Sequence, residues 1–146
     1  MTVYAILFTM AAIGVAETVY LIRTRKEADA KVVCPIGGGC NEVLESKYNK
    51  LFGIHNDFLG LLFYASSALL MALVVIEVGP VDILLGIVSL MIFGAAAMSL
   101  RFTYLQWRVI KHWCFWCLMS ALIVMIMLVT ILLSFSETYQ NIMTLL

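Results

Sequence analysis

Four apolar segments, each long enough to cross a lipid bilayer, dominate this chain. They cover residues 3–22, 58–78, 83–105 and 113–135. A spanning helix needs about 20 apolar residues, and the chain as a whole has only 12% charged residues and a mean hydropathy of +1.05. Backbone polar groups must find hydrogen bonds inside the protein when lipid surrounds it. The sequence therefore predicts an all-α integral membrane protein, a four-transmembrane-helix bundle that forms a single domain over residues 1–146.

The first segment is expected to remain in the protein as a span. It has no basic start, and no cleavage site of small residues follows it, so it does not resemble a signal peptide. The pair Gly79-Pro80 separates the second span from the third, as expected where one helix ends and the chain turns back.

Alternating spans bring two cysteine pairs to the same side of the membrane. The loop of residues 23–57, between spans one and two, carries Cys34 and Cys40, and span four opens with Cys114 and Cys117. Both regions lie on one side if the four spans alternate in direction. We call this side the cysteine face. All four cysteines are candidate catalytic residues, because two dithiol pairs at one surface can pass electron pairs by thiol–disulfide exchange.

The cysteine-bearing loop has two recognisable parts. Three glycines, residues 37–39, lie between Cys34 and Cys40 and give the backbone there unusual freedom. Residues 41–53 are predicted to form a short amphipathic helix at the interface, with Leu44, Tyr48 and Leu51 on one face. Two interpretations of this helix stay open: a lid over the bundle, or a surface-anchored connector.

The Cys114-x-x-Cys117 pair lies at a predicted helix N-terminus, where unpaired N–H groups and the helix dipole favour a thiolate. A structural disulfide and a zinc site are the alternatives. Structural zinc favours two to four residues between the cysteines of both pairs, whereas five separate the first pair here. No metal is expected.

An electron pair collected on these cysteines needs an acceptor, and a quinone dissolved in the membrane, ubiquinone or menaquinone, is the natural one. Asn56, where span two begins, is a candidate donor to a quinone carbonyl, although it is equally suited to be a helix N-cap. Trp116, between the two cysteines, is a candidate contact for a ring-shaped ligand. An interfacial aromatic belt would explain Trp116 equally well.

The motifs together resemble the vitamin K epoxide reductase family over most of the chain. The resemblance is carried by Cys34-x5-Cys40, by Ser46, by Gly53-Ile54 leading to Asn56 and Gly60-Leu61-Leu62-Phe63-Tyr64, and by Cys114-x-x-Cys117. The chain looks like a stand-alone homologue of the prokaryotic type. The resemblance implies a membrane oxidoreductase that passes electrons from a thioredoxin-like partner to a quinone and so generates protein disulfides.

The resemblance also implies roles for individual residues. Cys117 would face the quinone, Cys114 would exchange with Cys40, and Cys34 would exchange with the partner. Ser46 matches a Ser or Thr of the family's loop, and Asn56 matches a quinone-contacting asparagine of animal members.

Two departures from the family pattern refine these expectations. Animal members carry a tyrosine where this chain has Ala121, and some bacterial members are fused to a thioredoxin-like domain, so a separate partner protein is expected. Besides this partner, the quinone and the bilayer, no nucleic acid is expected to bind. Vitamin K epoxide reduction proper and a non-catalytic cysteine protein that binds metal remain the alternative functions.

The distribution of basic residues predicts how the protein is oriented in the membrane. All nine basic residues are predicted to lie on the cysteine face: Arg23, Arg25, Lys26, Lys31, Lys47, Lys50, Arg101, Arg108 and Lys111. Since short loops rich in Lys and Arg stay in the cytoplasm, the pattern predicts a multi-pass protein of the cell membrane with a cytoplasmic cysteine face. Relatives in prokaryotes are expected to work at the outer face, where disulfides persist, so the two indications disagree.

Overall fold

The structure is a computed structural model that describes residues 2–26, 50–51, 53–111 and 113–145. Within these ranges it contains four long helices, α1 (Thr2–Lys26), α2 (Asn56–Val75), α3 (Val81–Leu105) and α4 (Phe115–Leu145). Two short strands, β1 (Lys50–Leu51) and β2 (Ile54–His55), precede α2, and a π-helical turn (Gln106–Ile110) continues α3. All four helices are long and apolar enough to cross a membrane, which confirms the predicted membrane bundle.

The helices follow one another around the bundle. α1 packs against α2 and α4, and α3 packs against the same two neighbours, while the diagonal pairs make only marginal contact. The core is formed where inward stripes of the four helices meet, and it includes Leu7 of α1, Met71 of α2, Ile92 of α3 and Met127 of α4. Large apolar residues also cover the outside, as in Leu90, which is 75% exposed. An apolar exterior is expected where lipid replaces water as the solvent.

Close backbone approach joins α1 to α2. Gly14 lies directly against the ring of Tyr64, where a Cβ atom would overlap the aromatic carbons. One turn nearer the cysteine face, Gly60 of α2 lies against the methyl group of Thr18. Small residues at such crossings allow membrane helices to approach closely.

The turn between α2 and α3 is set by hydrogen bonds at the end of α2. Glu77 has a positive φ of 57°, its N–H donates to the carbonyl of Val74, and the N–H of Val78 donates to the carbonyl of Leu73. This is the Schellman arrangement that ends many helices. The carbonyls of the last helical turn thus accept hydrogen bonds from N–H groups that follow Val75, and the helix ends at Val75. The predicted second span, residues 58–78, therefore ends three residues too late.

The predicted amphipathic helix is wrong at its C-terminal end, where the residues just before α2 form two strands. Lys50 pairs with His55 and Leu51 with Ile54 in an antiparallel hairpin, and Gly53 turns the chain with φ of 81°. The positive φ of Gly53 thus serves a tight turn between strands and does not end a helix. The rest of that predicted helix, residues 41–49, lies outside the described residues.

Candidate functional site

Cys114 and Cys117 lie at the N-terminus of α4, one turn apart. Cys114 directly precedes the helix, and its sulfur accepts a hydrogen bond from the backbone N–H of Cys117 at 3.3 Å. Its carbonyl accepts from the N–H of Leu118 at 3.0 Å. Cys114 therefore caps the helix, a position normally taken by an oxygen-bearing side chain. Both cysteines are free thiols, and Cys114 is completely buried.

The surroundings of Cys114 favour its thiolate. The Cys117 thiol donates a hydrogen bond to the Cys114 sulfur and lowers the pKa of Cys114, an effect that outweighs the opposing effect of burial. The backbone N–H groups of Cys117 and Trp116 act in the same direction. A thiolate is the form that attacks or leaves in thiol–disulfide exchange, so the geometry prepares Cys114 for this chemistry.

Gln106 holds Cys114 from the other side. This residue opens the π-helical turn after α3, is completely buried, and accepts a hydrogen bond from the backbone N–H of Cys114 at 2.9 Å through Oε1. Lys111 then reverses the chain with φ of 60°. The sequence pattern does not single out Gln106, because it stands beside Trp107 and Arg108 in an interfacial stretch where polar side chains are common.

A cavity of about 300 Å³ opens inside the bundle on the cysteine side. All four helices line it. Thr18 and Leu21 come from α1, Asn56, Asp57, Leu59, Gly60, Phe63 and Tyr64 from α2, Met91, Gly94, Ala95, Met98, Ser99, Phe102 and Thr103 from α3, and Trp116, Cys117, Ser120, Ala121 and Val124 from α4. The lining is mostly apolar with a few polar groups, as is usual for sites that bind small organic molecules.

Three of the predicted site residues line this cavity together. Cys117, Trp116 and Asn56 all contribute to the wall, whereas Cys114 lies behind Cys117 and does not. The remaining predicted site residues, Cys34, Cys40 and Ser46, lie outside the described residues.

Asn56 and Trp116 each have a defined local setting. Asn56 is the first residue of α2 and His55 occupies the cap position, so the N-cap alternative for Asn56 is wrong. Asp57, next along the helix, uses its carboxylate to accept from the N–H of Phe58 at 2.9 Å. The ring of Trp116 packs against Tyr20 with centroids 5.0 Å apart and against Phe115 at 5.4 Å. One indole therefore contacts α1 while it lines the cavity.

The cavity reaches the outer surface of the bundle at α3. Gly94 lines the cavity and is also exposed, and a Cβ atom added there would meet no atom within 4 Å. The outer surface of a transmembrane helix faces lipid, so we expect the cavity to open toward the bilayer beside Gly94.

The comparison with protein families gives one match. The family described as the Vitamin K epoxide reductase family matches residues 5–132, which is most of the chain. The chain belongs to this family. A search of the curated proteins found no significant match.

Membership of the vitamin K epoxide reductase family makes this chain a membrane redox reductase of a quinone-linked family. In this member the position of the tyrosine known from animal relatives is Ala121, which lines the cavity without a polar group. A different tyrosine supplies a hydroxyl nearby. Tyr64 of α2 reaches across the bundle to Ser120 of α4, with 2.7 Å between the two hydroxyl oxygens and 3.1 Å to the Ser120 carbonyl.

Glu17 is a further residue of interest that is absent from the predicted site. It is only 8% exposed, although it lies within the α1 span. An acidic residue inside an apolar segment is visible in the sequence and is a signal of function in membrane proteins. No cluster of three or more His, Cys, Asp or Glu side chains able to hold a metal ion occurs among the residues that the structure describes.

Proposed function

We propose that this protein is a membrane thiol oxidoreductase. It takes electrons from a separate thioredoxin-like protein, passes them through Cys34/Cys40 and Cys114/Cys117, and delivers them to ubiquinone or menaquinone, so that protein disulfides are generated. One observation carries the proposal: the Cys117 thiol lines an apolar cavity of about 300 Å³, with its partner Cys114 directly behind it.

The proposed relay begins with the loop pair. The reduced partner attacks the Cys34–Cys40 disulfide and leaves oxidised. Cys40 then attacks the Cys114 sulfur of the Cys114–Cys117 disulfide, which forms a Cys40–Cys114 bond and releases Cys117. The lowered pKa of Cys114 supports this assignment, because a thiol of low pKa is also the better leaving group when Cys34 attacks Cys40.

The second half of the relay takes place at the cavity. Cys34 re-forms its bond with Cys40 and leaves Cys114 and Cys117 reduced. These two cysteines then give two electrons to the quinone as their disulfide closes again. Asn56 at the cavity wall is the proposed donor to a quinone carbonyl, Trp116 the proposed contact for its ring, and Ser46 a further proposed contact.

Quinone reduction is favoured over epoxide reduction by one feature of the cavity. Ala121 brings no hydroxyl to the position where animal relatives have a tyrosine, and it lines the wall beside Ser120. To bind in the cavity, a ring with two carbonyl oxygens needs hydrogen-bond donors, which Asn56 and the Tyr64–Ser120 hydroxyls offer.

The decisive test measures quinol formation by the purified protein with a reduced thioredoxin-like donor. We expect wild type to turn over and Cys117→Ser to lose at least about 100-fold in rate, since the serine hydroxyl neither forms a disulfide nor carries electrons. Ala97→Ser is the matched control, because it places a hydroxyl on the exposed surface of α3 away from the cavity. If wild type makes no quinol and instead holds stoichiometric zinc, the metal-binding alternative is correct.

A further inference from the structure

Glu17 is a buried acid without a partner among the described residues. Both of its carboxyl oxygens are buried, and neither has a hydrogen-bond partner in the part of the chain that the structure describes. An ionised carboxylate is very costly to bury in apolar surroundings without a partner, so this position favours the neutral acid. A neutral carboxylic acid carries a proton that it can donate.

Glu17 lies on the side of α1 that faces the cavity. On the same inward side of α1, Thr18 and Leu21 line the cavity and Gly14 contacts Tyr64. The Glu17 carboxyl lies within electrostatic range of the Tyr64 hydroxyl and of the Cys114 and Cys117 thiols.

The titratable groups around Glu17 come from both helices that pack against α1. In the described part of the chain they include Tyr64 from α2, and Cys114 and Cys117 at the start of α4. Asp57, also from α2, lines the same cavity. No basic side chain is among the described residues that line the cavity.

Quinone reduction needs two electrons and two protons. When both cysteines are thiols, closing the disulfide breaks two S–H bonds and releases two protons with the two electrons. When Cys114 is a thiolate, the pair releases two electrons but only one proton. A second acid must then supply the missing proton at the moment the quinol forms.

We propose that Glu17 is this acid. The inference rests on the function proposed above. In the balanced step, the Cys114 thiolate, the Cys117 thiol, the Glu17 carboxylic acid and the quinone become the Cys114–Cys117 disulfide, the Glu17 carboxylate and the quinol. The carboxylate takes up a proton from water on the cysteine face before the next turnover.

The hydroxyl pair of Tyr64 and Ser120 offers a path for this proton. Both residues line the cavity, their oxygens are 2.7 Å apart, and either hydroxyl can donate to the other. Glu17 is not among the residues that line the cavity. In the proposed step the proton passes through these hydroxyls to the quinone, because Tyr64 lies within electrostatic range of Glu17 and also lines the cavity.

The test follows a single turnover with the reduced protein in phosphatidylcholine vesicles. A short-chain ubiquinone is mixed in, and quinol formation is recorded across a range of pH for wild type, Glu17→Gln, Glu17→Asp and the control Glu137→Gln. Glu137 is an exposed glutamate at the far end of the α4 span. Quinone binding is measured separately by quenching of tryptophan fluorescence, because Trp116 lines the cavity.

We expect Glu17→Gln to slow quinol formation about 100-fold in the pH range where Cys114 is a thiolate, the lower end of what a positioned proton donor contributes. The defect should shrink as the pH falls, because Cys114 is then protonated and the cysteine pair supplies both protons. Quinone binding should be unchanged, Glu17→Asp should restore part of the rate, and Glu137→Gln should behave as wild type.

Two results would overturn the inference: an unchanged rate in Glu17→Gln at every pH, or a loss that is equal at every pH and accompanied by lost quinone binding, which indicates a structural role. Should Glu17→Gln fail to fold, Glu17→Leu takes its place, and a wild-type rate in that variant at every pH would overturn the inference instead. If wild type itself forms no quinol, the proposed function fails, which is a distinguishable outcome.

Discussion

Two cysteines three positions apart have different surroundings in this protein. Cys114 is fully buried, caps α4 and receives hydrogen bonds, whereas Cys117 lines the cavity. The difference arises because the first turn of a helix directs its free N–H groups toward the residue before it. It supports the proposed division of work, in which Cys114 exchanges with the loop pair and Cys117 faces the quinone.

The pH dependence of Cys114 follows from its hydrogen bond with Cys117. Since the pKa is lowered, the thiolate of Cys114 is already present below the pH range usual for thiols and is lost only as the pH falls through the lowered value. Cys117→Ala removes the donor, so we expect the titration to move to higher pH. Thiolate ultraviolet absorbance, in a background with Cys34→Ser and Cys40→Ser, measures it. An unmoved titration would show that the Cys117 thiol is not the main cause.

The cavity wall is only partly predictable from the sequence. The alternation of spans alone places Cys117, Trp116 and Asn56 near one another, and all three line the cavity. Gln106 and Ser120 could not be foreseen, because their importance depends on which backbone or hydroxyl group lies opposite. The group opposite Gln106 is the backbone N–H of Cys114, and the group opposite Ser120 is the hydroxyl of Tyr64. Which groups face each other depends on the rotation of each helix about its axis, and hydropathy does not specify this rotation.

Among the elements, the contact of α1 with α2 depends on a glycine. We expect Gly14→Ala to destabilise the protein by about 1–3 kcal/mol, as overpacking usually does. The new methyl group would overlap the Tyr64 ring, which is held by its hydrogen bond to Ser120. Thermal unfolding in detergent measures the loss.

Gly60→Ala is the matched control for this prediction. It has the same gain in helix propensity, but its Cβ would lie 3.3 Å from the Thr18 methyl group, which needs only a small adjustment. The prediction is wrong if Gly14→Ala unfolds at the same temperature as Gly60→Ala or above it.

α3 carries two exposed glycines with different relations to the cavity. Gly94 lines the cavity, while Gly86, about two turns away, does not, and a Cβ atom added at either glycine would lie in open space. We expect Gly94→Leu to raise the KM for quinone several-fold by narrowing the expected opening, with a stability gain of no more than about 1 kcal/mol from helix propensity. Gly86→Leu should leave KM unchanged, and equal effects of the two variants on KM would contradict the assigned opening.

The spans themselves are predictable because each is a continuous apolar run of sufficient length. Their ends are not. α2 stops at Val75, where the backbone hydrogen bonds of Glu77 and Val78 close it, although apolar residues continue. The stretch at 50–55 alternates poorly for a strand, yet the turn at Gly53 makes it a hairpin.

At the scale of the whole molecule, the ring order of the helices brings the start of α2, the end of α3 and the start of α4 to one end of the bundle. The basic residues Arg23, Arg101, Arg108 and Lys111 belong to the parts of the chain near this end, while Glu77 and Asp82 flank the opposite turn. We propose on this charge distribution that the cysteine face is cytoplasmic.

Orientation is testable with two single-cysteine variants in intact cells, using a maleimide that does not cross membranes. One variant keeps only Cys34, and the other carries Val78→Cys with all native cysteines replaced by serine. Val78 is 52% exposed in the turn between α2 and α3. We expect labelling at position 78 alone, and labelling of Cys34 would place the cysteine face outside.

An opening beside Gly94 would expose the site to the concentration of substrate in the lipid. A substrate that comes in from the side of α3 is dissolved in the bilayer and not in the surrounding buffer. For the proposed quinone substrate, the occupancy of the site then follows the number of quinone molecules per lipid. Adding empty lipid at constant volume therefore acts as dilution, and a substrate tail of any length can stay in the membrane while only the ring occupies the cavity.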